Sequence, residues 1–280
     1  MRCGRLTDVP ARRATVGNAI SQALREADPF AKAMRARSVS RDWRLGRLDH
    51  CFDGILPDRP GRPEQTILLP PGRMPRRGRG NSERGRIALW HALAHIEFVA
   101  IDLALDIAGR FGAEMGPQFL GDFLSVAADE AMHFVLLARK LRDLGSRYGA
   151  LPAHDGLWES ALATQTDVAA RLAIVPMVLE ARGLDVTPHM IVQTRAHGDE
   201  RGARILERIL DDEIRHVRFG VKHFGAVAAE RGQPHDDLWK SLVRQHLRGA
   251  VKPPFNDSAR ASAGLSCELY RAVAMQHEDV

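Results

Sequence analysis

Two pentads in this chain share the pattern Asp-Glu-x-x-His: Asp129-Glu130-Ala131-Met132-His133 and Asp212-Glu213-Ile214-Arg215-His216. On a helix, a Glu and a His three residues apart lie about 60° apart around the axis, so both can reach one metal ion from the same face. Each pentad also has a Glu at the same distance upstream, Glu97 standing 33 residues before Glu130 and Glu180 standing 33 residues before Glu213. The equal spacing points to two copies of one helical hairpin. Four helices that each supply a Glu, two of them adding a His one turn later, carry the ligand set of a di-iron or di-manganese carboxylate centre in a bundle core.

The chemistry of that set is specific. Carboxylates bridge hard cations and offset their charge, and imidazoles complete the coordination. A set of oxygen and nitrogen donors without thiolate suits iron or manganese better than copper(I) or an iron–sulfur cluster, while zinc is allowed on ligand type alone. Positions left open on the metals would admit dioxygen. The plain alternative is that the six are surface residues of amphipathic helices. Local context argues against it, because Glu97 lies in the run from Leu89 to Ile101 and Glu180 ends the run from Leu172, both too apolar for a solvated face. A carboxylate placed there needs a cation or a hydrogen-bonded partner.

Metal-bound histidines donate their second ring nitrogen to a carboxylate, and in centres of this class the Asp of one pentad faces the His of the other. The expected pairs are Asp129 with His216 and Asp212 with His133. His91 and His95 point well away from Glu97 on an ideal helix, which makes them packing or hydrogen-bonding residues rather than ligands. Trp90 shares the face of Glu97 and reads as core. The two tyrosines, Tyr148 and Tyr270, fall outside the predicted bundle helices near the ligands.

The elements that must position these residues are helical. Apolar spacing predicts one helix from Val16 to Met34, despite Pro29, after a weakly ordered lead-in over residues 1 to 16. Six prolines between Pro57 and Pro75 make residues 38 to 86 a long extended segment, with apolar residues spaced along it that suit packing on a bundle surface. Ser82 is the expected cap of the first long helix, running to about Gly109. Gly116 and Pro117 open the second, which ends near Gly145. Residues 145 to 166 form a crossover with a short helix around Trp158. The third helix starts near Asp167, and Pro176, Gly183 and Pro188 predict a kink or local widening beside Glu180. The fourth runs from about Asp199 to Arg231, and two further helical stretches, 236 to 247 and 257 to 273, flank Pro253-Pro254. The expected fold is therefore all-α, in three parts: 1–81, an N-terminal helix and Pro/Arg-rich arm; 82–232, a four-helix bundle with a long crossover; and 233–280, C-terminal accessory helices.

Composition bounds the rest. At 280 residues with 45% hydrophobic content, the chain has ample material for a core. No stretch reads as a membrane span or secretory leader, and three scattered cysteines fit a reducing compartment, so a cytoplasmic protein is expected. The absence of a Cys-x-x-Cys pair argues against a fused rubredoxin-like iron centre. The net charge of +5 is unevenly spread: residues 1 to 86 hold 19 Lys and Arg against 9 Asp and Glu, while the remainder is acidic. Such a basic arm can attract nucleic acid or an anionic substrate, or can neutralise the acidic part of its own domain.

The runs Pro60-Gly61-Arg62-Pro63, Met74-Pro75-Arg76-Arg77, His91 to Glu97, the two pentads, and Glu180-Ala181-Arg182-Gly183-Leu184-Asp185 together resemble the bacterial ferritin-like proteins of domain-of-unknown-function family 455. The resemblance spans most of residues 40 to 230. It implies a ferritin-like di-iron bundle with Glu97, Glu130, His133, Glu180, Glu213 and His216 as ligands, and it brings no substrate. More distantly, the site is similar to tRNA-hydroxylating and other di-iron oxygenases. The expected function is an oxidoreductase, an oxidase or hydroxylase, holding two iron ions (manganese or zinc being alternatives). Its partners would be dioxygen, an electron donor, and a small-molecule or RNA substrate, with the chain a monomer or homodimer away from membranes. Iron binding or detoxification without an organic substrate, and a metal-stabilised module without enzymatic activity, are the competing expectations.

Overall fold

A computed structural model of the chain describes residues 13–75 and 82–274. The lead-in through residue 12, Cys3, and Arg76 and Arg77 of the basic arm lie outside the described residues. Those that are described form helices joined by loops, with isolated bridges between Thr15 and Asp49 and between Leu68 and Ala153 in place of any strand. Among them no helix is long and apolar enough to cross a membrane.

The longest element, α3 (Glu83–Asp143), is two helices in one. Ser82 caps it, its Oγ accepting from the Gly85 N–H at 3.0 Å. The first arm runs through residue 115, a turn and a half beyond the expected end at Gly109. The fold reverses at Gly116, whose φ of 84° belongs to the left-handed region that only glycine enters without cost, and Pro117 then starts the second arm. Gly109 stays helical because it makes room for a neighbour: a Cβ there would meet the side chains of Ile20 and Leu56 at 3.0 Å.

The third helical unit is composite. α5 (Val168–Ile174) passes into a π-helical turn, Val175–Glu180, and then into α6 (Ala181–Ala196). Pro176 has no N–H to offer the turn before it, and the backbone widens there, at the turn that delivers Glu180. Room for the proline ring comes from Gly220 of α7 (Glu200–Glu230), where a Cβ would stand 2.5 Å from that of Pro176. α7 packs along the π turn and α6 on one side. On the other it runs antiparallel to the second arm of α3, with Lys222 paired to Asp122 near one end and Arg201 to Asp143 near the other. Loop and α4 (Gly156–Ala163) span residues 145 to 167, and the Trp158 indole donates to the Asp58 carbonyl at 3.2 Å.

The N-terminal part differs from the sequence expectation. Two helices replace one: α1 (Val16–Arg25) and α2 (Pro29–Arg44). Pro29 starts the second rather than ending the first, because Asp28 caps it through Ala31 N–H at 2.8 Å and the missing proline N–H costs nothing in a first turn. Extended chain therefore begins only after Arg44. That chain is stitched to the helices by close backbone approach, with Gly61 N–H donating to the Leu24 carbonyl at 2.8 Å and Gly54 lying directly against Gly17. Two of its basic residues find acids of the same molecule: Arg62 pairs with buried Asp102, and Arg59 with Asp155 at 2.7 Å. At the other end, α8 (His235–His246) packs on α5. The last expected stretch is also two helices, α9 (Asp257–Ser262) and α10 (Cys267–Ala274), separated at Gly264 by its positive φ of 89°. Arg260 of α9 reaches Asp185 of α6 at 2.7 Å, fastening this end to the third unit.

Candidate metal centre

The four helical units bring their acidic residues to one polar layer inside an otherwise apolar core. Glu97 comes from the first arm of α3, Glu130 and His133 from the second, Glu180 from the π turn, and Glu213 and His216 from α7. Glu130, His133 and His216 are fully buried, and Glu97 and Glu213 nearly so. Glu97, Glu130, His133 and Glu213 each present a ligand atom within 4.8 Å of the other three, an arrangement able to hold a metal ion. His216 adjoins this group, its Nδ1 lying 3.0 Å from Glu130 Oε1 and 3.7 Å from Glu213 Oε1. Glu180 stands beside the group without a hydrogen bond to it. The residue is half-buried, but its Oε2 is sealed from solvent and has no partner.

Glu130 is the centre of the arrangement. Its Oε2 is 3.3 Å from His133 Nδ1 and its Oε1 3.0 Å from His216 Nδ1, so one carboxylate spans both imidazoles. Glu97 Oε2 also lies 3.2 Å from His133 Nδ1. The far nitrogens are engaged elsewhere: His133 Nε2 is 3.1 Å from Asp212 Oδ2, and His216 Nε2 is 3.4 Å from Asp129 Oδ2. With Nε2–H donated outward, each ring turns the Nδ1 lone pair inward toward carboxylate oxygens. Lone pairs facing at such distances repel unless a proton or a cation lies between them.

Electrostatics carries the same message. Burial and the charge of Glu130 push the Glu97 carboxyl well above the ordinary range; burial and the charge of Glu213 do so at Glu180, and burial with the charge of Glu130 raises Glu213. Glu130 is the exception. Burial acts to raise it, but contacts to His133 and His216 outweigh that and hold it below the usual carboxylate value. Both histidines are raised despite burial, by the carboxylates around them. Four glutamates in a dry interior balance two divalent cations in charge. The buried atoms with no hydrogen-bond partner include Glu130 Oε1, Glu213 Oε2 and His216 Nδ1 besides Glu180 Oε2, so unshared lone pairs converge where a metal would satisfy them.

Two residues of this layer escape the Asp-Glu-x-x-His pattern. Arg215 Nη2 donates to Asp129 Oδ2 at 2.6 Å and to Asp212 Oδ1 at 3.2 Å, so one guanidinium ties together the aspartates behind both histidines. Arg208 Nε donates to Asp212 Oδ2 at 2.7 Å. Burial would raise Asp212, yet His133 and Arg208 hold it well below its usual value. The Arg208 to Asp212 spacing of one helical turn was available in the sequence as an ordinary i,i+4 pair. Replacing Asp212 with Asn should free His133 to rotate and weaken metal binding by about 10–100-fold with the fold intact, the usual effect of losing such a support. Competition against a chromogenic chelator measures it, and an unchanged affinity would remove the supporting role.

His91 and His95 hold a loop. His91 Nε2 accepts from Gly149 N–H at 3.0 Å, while His95 contacts the Tyr148 hydroxyl at 3.0 Å and the His154 carbonyl at 3.2 Å. Burial pushes both down to about 4, keeping them neutral. Trp90 is buried with the Lys140 ammonium 5.6 Å from its ring centroid. Tyr148 is off the long helices, its ring 5.2 Å from that of Phe134.

Comparison with known proteins adds a family without an activity. The model of a family described as "Protein of unknown function (DUF455)" matches residues 25–271. A relative in Haemophilus influenzae, called only "Uncharacterized protein", is 40% identical over 210 residues, covering 73% of each chain. No solved structure matches significantly.

Proposed function

The chain belongs to the DUF455 family, whose description names no reaction, and from the site itself we propose that it is a ferritin-like di-metal carboxylate protein that uses dioxygen as an oxidoreductase. The observation that carries this reading is the placement of Glu130 between the two inward-facing Nδ1 atoms, each histidine being backed by the aspartate of the other pentad. In this reading residues 82–232 are a four-helix bundle with a long crossover, and the flanking segments are additions to it. Glu97, Glu130, His133, Glu180, Glu213 and His216 hold the metals. The donor set, all oxygen and nitrogen, favours iron or manganese, with zinc allowed. Two such ions, when bound, supply Lewis acidity and redox equivalents for dioxygen reduction.

The protein's own residues set the conditions for that chemistry. Glu130, which faces both histidines, would hold the metals from the middle of the layer. Asp129 and Asp212 fix the ring orientation of His216 and His133, and Arg215 fixes both aspartates. The layer itself is dry, with Glu130, His133 and His216 wholly buried and Glu97 and Glu213 nearly so. Access is left on the side of Glu180, the least buried ligand, where Gly183 presents no side chain: a Cβ there would stand 4.0 Å from Glu213 Cγ. Metal analysis of protein purified without chelator, followed by dioxygen uptake after anaerobic reduction, tests the reading. About two iron ions per chain with uptake on mixing is the expected result. Zinc alone, or no metal after iron reconstitution, would overturn it, and iron without dioxygen consumption would leave metal binding without the oxidoreductase.

A further inference from the structure

A cavity of about 420 Å³ lies between the start of α3 and the end of α6, its walls including Arg86, Trp90, Met190, Thr194 and His197. Its charged groups are unequally committed. Asp199 is occupied, accepting from Lys140 Nζ and from Gly202 N–H. Arg86 has no ion pair among the described residues, and its Nε is buried without a hydrogen-bond partner. A buried, unpartnered guanidinium donor is costly and rare unless something that the chain does not itself supply is meant to accept from it. The partner that fits a guanidinium fork is an oxyanion, a carboxylate or phosphate.

The cavity is also aligned with the metal centre. Arg86, Trp90, Leu93 and Glu97 follow one another at intervals of four, three and four residues, a single face of the first arm. Thr194, Met190, Thr187 and Gly183 repeat those intervals backward along α6, ending beside Glu213. From Trp90 to Glu97 the helix rises about 10 Å, the length of an extended chain of eight to ten carbons. Trp90, Leu93 and Met190 on these stripes suit an apolar body.

We propose that this cavity binds the head group of an organic oxyanion, held by Arg86, whose apolar body runs between α3 and α6 toward Glu97 and Gly183. That such a molecule is the substrate rests on the oxidoreductase reading; that it binds does not. Isothermal titration of the full chain, metal-free and metal-loaded, with decanoate, decyl phosphate and inorganic phosphate makes the test. At least one of the two amphiphiles should bind both forms at least about tenfold more tightly than inorganic phosphate, and the better of the two identifies the head group. Arg86→Gln should weaken that binding about 10–100-fold, as expected for a buried charge-assisted contact, with Arg86→Lys partly restoring it and metal content unchanged in both variants. In manganese-loaded protein the terminal methyl of the bound amphiphile should be broadened in NMR spectra more than the methylene next to the head group.

Absence of amphiphile binding, or equal binding by Arg86→Gln, would overturn the site. Stronger broadening at the head group would overturn its direction. If the chain takes up no metal yet binds the amphiphile through Arg86, the cavity stands and the metal reading falls; normal metal loading without amphiphile binding is the reverse.

Discussion

Glu130→Ala should abolish metal binding altogether rather than halve it. The reason is its position: the other glutamates each stand nearer one histidine, whereas Glu130 lies within 3.3 Å of His133 Nδ1 and 3.0 Å of His216 Nδ1. A ligand shared by two ions neutralises both, so its loss leaves each with an incomplete, undercharged set. Glu97 contacts His133 alone among the described histidines. Glu97→Ala should accordingly retain about one metal per chain where Glu130→Ala retains close to none and the unaltered chain about two. Plasma mass spectrometry after exhaustive dialysis reads all three ratios, and circular dichroism confirms that each variant is folded. Glu130→Gln keeps the volume and removes the charge, so it should behave as Glu130→Ala if charge is what holds the ions. Equal ratios in Glu97→Ala and Glu130→Ala would show that no carboxylate is shared, and a full complement of metal in Glu130→Ala would sink the site.

The spacing that singles out these residues is readable without a structure because it is local. Glu and His three apart, and a Glu repeated 33 residues upstream, are properties of helices and of a duplicated hairpin. Gly116-Pro117 and Pro176 are legible for the same reason, since each acts on its own turn of backbone. What the pattern omits is tertiary. Arg215 matters because Asp129, 86 residues away, arrives beside it. Pro29 is not such a case: Asp28 caps through Ala31 three residues on and proline suits a first turn, a local signal that the apolar spacing overrode. The clearest case is Asp102 and Asp106. They sit in an apolar stretch of α3 much like that around Glu97, and the same rule demands partners for them; Arg110, one turn from Asp106, is a local one, but the wholly buried partners, Lys32 and Arg171, stand 70 and 65 residues away.

Asp102→Ala should therefore be among the most destabilising substitutions outside the metal layer, by about 3–5 kcal/mol, the cost of stranding a buried charge. Lys32 is wholly buried and has three donors, all committed: Asp102 Oδ1 at 2.6 Å, the Gly61 carbonyl at 2.8 Å and the Leu24 carbonyl at 3.2 Å. Those contacts fasten α1, the extended arm and α2 to α3 at one point. Burial already pushes the Lys32 ammonium below its ordinary pKa, and the negative charge of Asp102 opposes that shift. Without Asp102 the folded protein would hold Lys32 neutral while the unfolded chain binds the proton. Stability must then rise with pH toward the ordinary lysine value of about 10.4, more steeply than in the unaltered protein. Urea unfolding of the metal-free chain at neutral and alkaline pH measures both the loss and its slope. Arg62 keeps a small exposed fraction of its side chain, whereas Lys32 has none, so the loss of Asp102 falls hardest on Lys32. Pairing Asp102→Leu with Lys32→Met should recover part of the stability that either change alone removes, the remainder being the cost of Arg62 left without its carboxylate. A loss below about 1 kcal/mol, the scale of a surface ion pair, or a loss that does not shrink as pH rises, would mean that Lys32 finds water and that the junction is not the closed anchor its geometry describes.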